Sequence, residues 1–268
     1  MAEILRTRPL LGTFVEISAT GGEALVMDAV SAAFAVVEAI HKSLSFQSPE
    51  SDLTRLNLAD GAWATMPRDA VRVIRLARAM TRASGGLFNA TLGGQMVALG
   101  ILPDHGFAPA CSRGSADDIE INGNSVRLRR GILLTLDGIA KGYAVDRAVA
   151  VLKRHGAWGG AVNAGGDLRV FGNARAPISI RQGESFVPAG ILADGAIASS
   201  GGQQAEDGRF RGRIVGDTLP ALRTMTVMAA QAWRADALTK VACLSAGDGA
   251  RDLIGRLGGQ LIGDAQAQ

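Results

Sequence analysis

The chain has 268 residues, 47% hydrophobic and 4% aromatic, and its 28 basic and 25 acidic side chains leave a net charge of +3. That apolar content supports a sizeable core without disulfides. The small net charge, with no Lys/Arg block, excludes a nucleic-acid footprint, and so few aromatic rings argue against a base-stacking surface.

The first 18 residues, MAEILRTRPLLGTFVEIS, show no apolar h-region or cleavage pattern, and no stretch reads as long enough to span a bilayer. The expectation is a soluble protein, cytoplasmic as the chain stands and periplasmic if a leader was removed. Residues 12–18 alternate like a half-buried strand. Val26, Val30, Ala33, Val37, Ile40 and Leu44 then step by four and three, which predicts one apolar helix face. Pro67 opens a second helix with its apolar face at Ala70, Val73, Ala77 and Met80, stopped by Gly85-Gly86. Ile119, Ile121, Val126 and Leu128 flank Asn122-Gly123-Asn124, a hairpin signal.

Ile132–Leu136 is a continuous apolar run and reads as a central strand, followed by a helix with Val145, Val149 and Leu152. Strands are predicted at 160–163, 167–171, 177–181, 189–197 and 222–229, with a Gly-rich mobile loop over 199–220. A helix at about 231–245, a short one near 249–257 and a strand near 260–263 close the chain. The elements mix without strict βαβ alternation, which predicts an α+β fold. No linker divides the chain, so one domain over 1–268, or two intimately packed subdomains, is expected.

Four motifs carry chemistry. In DGIAKG (137–142), Gly138 and Gly142 permit close backbone approach and Lys141 supplies a positive charge at a helix start. In NAGGD (163–167), Asn163 and Asp167 flank Gly165 and Gly166 inside a strand pattern. SSGGQQ (199–204) offers the Ser199 and Ser200 hydroxyls and the Gly201 backbone to phosphate oxygens. In ADALTK (235–240), Asp236 and Lys240 share a helix face as an ion pair, or Asp236 serves a hard cation. Each motif also reads as an ordinary turn or surface pair, and the residues alone leave the readings open. Neither a P-loop nor a dinucleotide fingerprint is present. Cys111 and Cys243 match no metal spacing and read as reduced thiols. His41, His105 and His155 lie near no motif, and His41 and His155 read as surface side chains at helix ends.

The order of LLGTFVEIS, SDLTRLN, GLFNATLGG, LDGIAKGYAVDRA, VNAGGDLRVFG, AIASSGG and ADALTK resembles the ApbE family, the FAD:protein FMN transferases, from Leu10 to Leu244. GIAKGYAVD followed by VNAGGDLRV is the specific pair. The resemblance implies an ApbE-like flavin-transferase fold of mixed sheets packed with helices. It implies binding of FAD with Mg²⁺, transfer of FMN to a threonine hydroxyl of an acceptor protein, and release of AMP. Lys141 would sit near the diphosphate, and the Ala140 carbonyl and Asp236 would be metal ligands. Gly138, Asn163, Gly165, Gly166, Asp167 and Ser199–Gly201 would line the FAD site, with Tyr143 and Asn57 as further candidates.

The chain departs from the family pattern in three places. Lys240 stands where the family has a metal-binding threonine, and Thr239 is one residue early, about 100° around the helix. Lys240 joins Lys141 as a catalytic candidate, and the expectation is that Mg²⁺ affinity is weakened or lost. FRGRIVGDTLPALRTMTV lacks the histidine of the family's His-x-x-Asp-Pro-x-Thr-Gly segment. Asn89, Thr135 and Asp137 replace the family's usual aspartate, aspartate and glycine. The alternatives to transfer are FAD binding or an interaction role without catalysis, or hydrolysis of the FAD diphosphate.

Overall fold

The computed structural model describes residues 2–182, 185–201, 214–216, 224–245 and 249–262. A seven-stranded antiparallel sheet forms its centre, in the order β1 (Ala2–Leu10), β2 (Thr13–Gly21), β6 (Gly159–Ala164), β7 (Asp167–Gly172), β10 (Ala196–Gly201), β11 (Thr224–Ala229), β12 (Gly259–Ile262). A three-stranded sheet, β3 (Ala64–Thr65), β5 (Ser125–Leu128), β4 (Ile119–Asn122), stands apart, as does the ribbon β8 (Ala176–Gln182) with β9 (Ser185–Leu192). The hairpin predicted around Gly123 is present, with Asn122 paired to Ser125 and Gly123 at φ 58°.

Alternation places Val15, Ile17 and Ala19 of β2 fully inside. Helix α1 (Glu23–Leu44) covers them with the face predicted from its periodicity, and α5 (Ala140–Arg154) and α6 (Ala232–Leu244) continue the layer along the sheet. α1 is long and apolar enough, by length and composition, to cross a membrane, which corrects the expectation that no stretch is. Here its Val30, Phe34 and Val37 are fully buried, and the helix packs on α5. On the sheet's other face the β8–β9 ribbon closes a second, smaller core around Val170, Ile178, Leu192 and Ile197. Helices α2 (Asp52–Leu58), α3 (Arg68–Ala83), α4 (Gly93–Ala98) and α7 (Gly249–Arg256) complete the structure. Ser51 caps α2 by accepting from the Thr54 N–H at 3.0 Å.

Two strand predictions are corrected. Residues 132–136 are extended and buried but pair with no strand. Their backbone bonds go to a loop, with Thr135 N–H donating to Ala90 O at 2.8 Å and Gly93 N–H to Leu133 O at 3.0 Å. The Asn57 amide holds both backbone groups of Leu134, Ile132 N–H donates to Arg129 O, and Leu136 O accepts from the Ile139 and Ala140 N–H groups. A buried apolar run needs its polar groups satisfied, and side-chain and loop partners do so without a ladder. The strand predicted at 189–197 breaks at 193–195, where Asp194 takes φ 40°, and its halves join different sheets. Of the loop predicted at 199–220, most lies outside the described residues; its first three residues extend β10.

Candidate functional site

A cavity of about 740 Å³ opens between the start of α5, the end of β10, one face of α6 and the C-terminal end of α1. Gly138, Ala140, Lys141, Ser200, Gly201 and Lys240 form its polar wall, so the DGIAKG, SSGG and ADALTK motifs converge there. Ile40, Leu44, Phe46, Phe88, Leu92 and Met96 are among the side chains of its apolar wall.

Close helix packing builds the polar wall. A Cβ on Gly142 would lie 2.3 Å from the Ala232 carbonyl oxygen and 2.7 Å from Trp233 Cα, so only glycine lets α5 touch the start of α6. The same contact lets Asp146 of α5 accept from the Ala232 and Trp233 N–H groups, at 3.0 and 2.9 Å, and cap α6 from outside. Gly142 N–H donates to Asp236 Oδ2 at 3.4 Å. Gly138 makes room for the Lys240 stem, whose Cε would be 3.3 Å from a Cβ there.

Two lysines and two aspartates meet here, the lysines lining the cavity and the buried carboxyl groups behind them. Lys240 Nζ lies 2.5 Å from Asp236 Oδ1, 3.0 Å from Ser200 Oγ and 3.2 Å from Thr239 Oγ1. Lys141 Nζ lies 3.1 Å from Asp167 Oδ2. Asp236 is fully buried and Asp167 nearly so. Burial would lower the Lys141 pKa, but Asp167, Asp236 and Asp137 outweigh it and hold the ammonium above its ordinary value. Burial first and the Asp236 charge second push the Asp167 carboxyl up to about 6. Burial pushes the Cys243 thiol behind Ser200 up to about 11, which keeps it an unreactive thiol.

Other predicted site residues lie elsewhere. Asn57 is buried with its amide engaged on both sides of Leu134, at 3.0 and 2.8 Å, so it holds the 132–136 segment and is off the cavity wall. Tyr143 donates to Asp69 at 2.6 Å, also away from the cavity. Ser199 points to the opposite face of β10, 2.8 Å from Thr226. Asn163 accepts from Gly166 N–H at 3.0 Å across the β6–β7 turn and lines a separate hollow. Gly165 and Gly166, at φ 59° and 99°, make that turn; its function is to reverse the chain and deliver Asp167 to Lys141.

Polar residues of the cavity that escaped the sequence include His41, Ser45 and Gln47. His41, in the last turn of α1, lies in the wall. Its Nδ1 accepts from Leu11 N–H at 3.4 Å, which leaves Nε2 as the ring nitrogen available to donate. Leu11 sits at φ 58° in the β1–β2 turn, a conformation a leucine rarely adopts. Nothing in the sequence near His41 signals this, because the contact depends on how the β1–β2 hairpin folds back over α1.

The residues present do not fit a magnesium ion. Of the expected ligands, Ala140 opens α5 at the cavity, but the Asp236 carboxylate is engaged by Lys240 on one oxygen and by Gly142 on the other. Thr239 is turned to β10 and bonds the Asp236 carbonyl at 2.7 Å. Among the described residues no group of three or more His, Cys, Asp or Glu side chains could hold a metal. Mg²⁺ requires near-octahedral oxygen ligation, and a fixed ammonium on the same carboxylate opposes it.

Residues 11–261 match the ApbE family. Over 187 residues the chain is 28% identical to an FAD:protein FMN transferase of Rhodobacter capsulatus, a match covering 64% of this chain. The chain therefore matches about a third of that protein's length, 35%. The fold superposes on the ApbE protein of Thermotoga maritima with a TM-score of 0.83 at 23% identity, covering 97% of this chain and 93% of that one. It also superposes on the apo flavinyl transferase ApbE of Pseudomonas stutzeri, with a TM-score of 0.81 at 20% identity and coverage of 99% and 92%.

Proposed function

The chain belongs to the ApbE family, and on that premise we propose that it binds FAD in this cavity and transfers FMN to a threonine hydroxyl of an acceptor protein. One observation carries the reading. A single cavity joins an apolar wall, suited to a flat ring system, to a polar wall with two ammonium groups, suited to a diphosphate. In the transfer, the threonine oxygen bonds to the FMN phosphorus and the bond from that phosphorus to the bridging oxygen breaks. AMP leaves with the bridging oxygen, and the hydroxyl proton is released. Such a displacement depends on positioning and on stabilising charge at the phosphoryl oxygens. Lys141 and Lys240 are the groups placed to do this. The 28% identity to an FAD:protein FMN transferase supports the reading.

Incubation with FAD and a threonine-containing acceptor, followed by mass spectrometry, tests it. An FMN adduct on the acceptor is the expected product. Free FMN and AMP without adduct would replace transfer by hydrolysis, and intact FAD would leave a binding role.

His41 is expected to donate from Nε2 to the ring edge of the ligand. His41→Leu keeps the bulk of the side chain and removes that donor. FAD affinity measured by calorimetry should fall by roughly 3- to 10-fold, the worth of about 1 kcal/mol for one neutral hydrogen bond. An unchanged affinity would remove His41 from the ligand's contacts.

Asp167 makes binding depend on pH. Its folded pKa, about 6, lies above the ordinary 3.8, so the folded chain holds this proton more tightly than the unfolded chain. Asp167 thus favours the fold at low pH, and that contribution is lost as pH rises from about 4 through about 6. Below pH 6 the neutral carboxyl releases Lys141 to a phosphate. FAD affinity should therefore rise between pH 7.5 and pH 5.5, and Asp167→Asn should flatten the profile. A profile of equal slope in the variant would locate the titrating group elsewhere.

A further inference from the structure

We propose that the Lys240 ammonium is the resident cation of this cavity, standing where a divalent ion would need to bind, so that the site takes a diphosphate diester without metal. The inference rests on the reading above for the flavin half of the ligand but not for the anion.

The geometry is that of an installed ion. Asp236 and Lys240 lie one helical turn apart on α6, at i and i+4, so helix geometry alone puts them on one face. The Lys240 stem is fixed against Gly138 and Phe88 lies on the same glycine, which gives the head little freedom. Its side chain is 20% exposed, to the cavity, whereas the Asp236 side chain is fully buried. An ammonium has three N–H donors, and here they face Asp236 Oδ1, Ser200 Oγ and Thr239 Oγ1. The longest contact, 3.2 Å to Thr239, is the one a phosphate oxygen would replace. Thr239 loses nothing essential by that, because its hydroxyl still bonds the Asp236 carbonyl and Ser200.

The two lysines act through contact rather than net charge. Asp236 and Asp167 are each matched by one lysine, and both lysines line the cavity beside Asp137. A diphosphate diester can take charge-assisted hydrogen bonds from both ammonium groups, while Asp137 opposes it from the same wall. A magnesium ion would have to share Asp236 with a fixed like charge, and the carboxylate has no second oxygen free of a protein N–H.

Calorimetry on the intact protein tests this with two probes, FAD and ADP-ribose, a diphosphate diester without the flavin, each in excess EDTA and in excess Mg²⁺. FAD affinity should differ by less than about threefold between the two conditions. Lys240→Thr should bind roughly 10- to 100-fold more weakly in EDTA, the worth of one charge-assisted hydrogen bond, and recover when Mg²⁺ is added. Binding of ADP-ribose but not FAD in EDTA would keep the resident cation and overturn the flavin reading. FAD binding seen only with Mg²⁺ would overturn the resident cation and keep the flavin reading. Silence from both probes in EDTA also overturns it. The wild-type comparison decides the matter even if the variant fails to fold.

Discussion

Replacing Gly142 with alanine should destabilise the protein by about 1–3 kcal/mol and lower its melting temperature by about 2–10 °C. The added Cβ would lie 2.3 Å from the Ala232 carbonyl oxygen, 2.5 Å from its carbon and 2.7 Å from Trp233 Cα. These are backbone atoms and cannot swing aside, so α5 and α6 must separate. Overpacking of this kind costs about 1–3 kcal/mol. Separation also breaks the cap that Asp146 provides to α6, worth about 1 kcal/mol. Against this, alanine gains about 1 kcal/mol over glycine in helix propensity. The control is Gly255→Ala in α7, where a new Cβ meets nothing within 4 Å. That variant should be neutral or slightly stabilised. Scanning calorimetry of both decides the question, and a Gly142→Ala protein as stable as Gly255→Ala would show that the two helices are not held this closely. Because Gly142 N–H also donates to Asp236, ligand affinity should fall with stability.

Lys141→Met should weaken FAD binding by about 100-fold and slow FMN transfer by about 1,000-fold. The binding loss corresponds to one charge-assisted contact near the upper end of its range. The larger loss in rate reflects a cation that matters most when charge builds on the phosphoryl oxygens. Lys141 is the second residue of α5, and the helix start adds partial positive charge to its own. Methionine retains the length of the stem, so the change tests charge more than packing. The partner left behind, Asp167, is buried and already titrates near 6, so protonation relieves it at modest cost. Lys141→Arg should restore part of the binding, since the charge returns with a different shape. Calorimetry for affinity and single-turnover mass spectrometry for the adduct would check both steps. Near-normal affinity in Lys141→Met would move the diphosphate away from α5.

The elements legible in the sequence were those with a local signature. The 3.6-residue period of Val26 to Leu44 found α1, and Asn122-Gly123-Asn124 found the β4–β5 hairpin. The run at 132–136 misled because continuous apolar character reports burial, not pairing. Its partners, Asn57 and Ala90, lie far along the chain and belong to no strand. Strand β1, with one residue in three half-buried and the rest exposed, carries too weak a pattern to be seen without its partner β2. The site divided in the same way. Gly138, Lys141, Ser200, Gly201 and Lys240 reached the cavity wall. Asn57, Tyr143, Asn163 and Ser199 looked similar in sequence but point to other partners.

By itself, the sequence determined the family, the α+β character and the chemistry available, because these follow from local periodicity, glycine placement and the order of motifs. Only the tertiary structure decided which of those groups work together. Asp236 meets Gly142 across 94 positions, Lys240 meets Ser200 across 40, and His41 meets Leu11 across 30. Such meetings depend on strand order in the large sheet and on a helix contact that tolerates only glycine. Spacing along the chain carries no record of either. That is why Lys240 read as a substitution in sequence and stands in the fold as an ion beside Asp236.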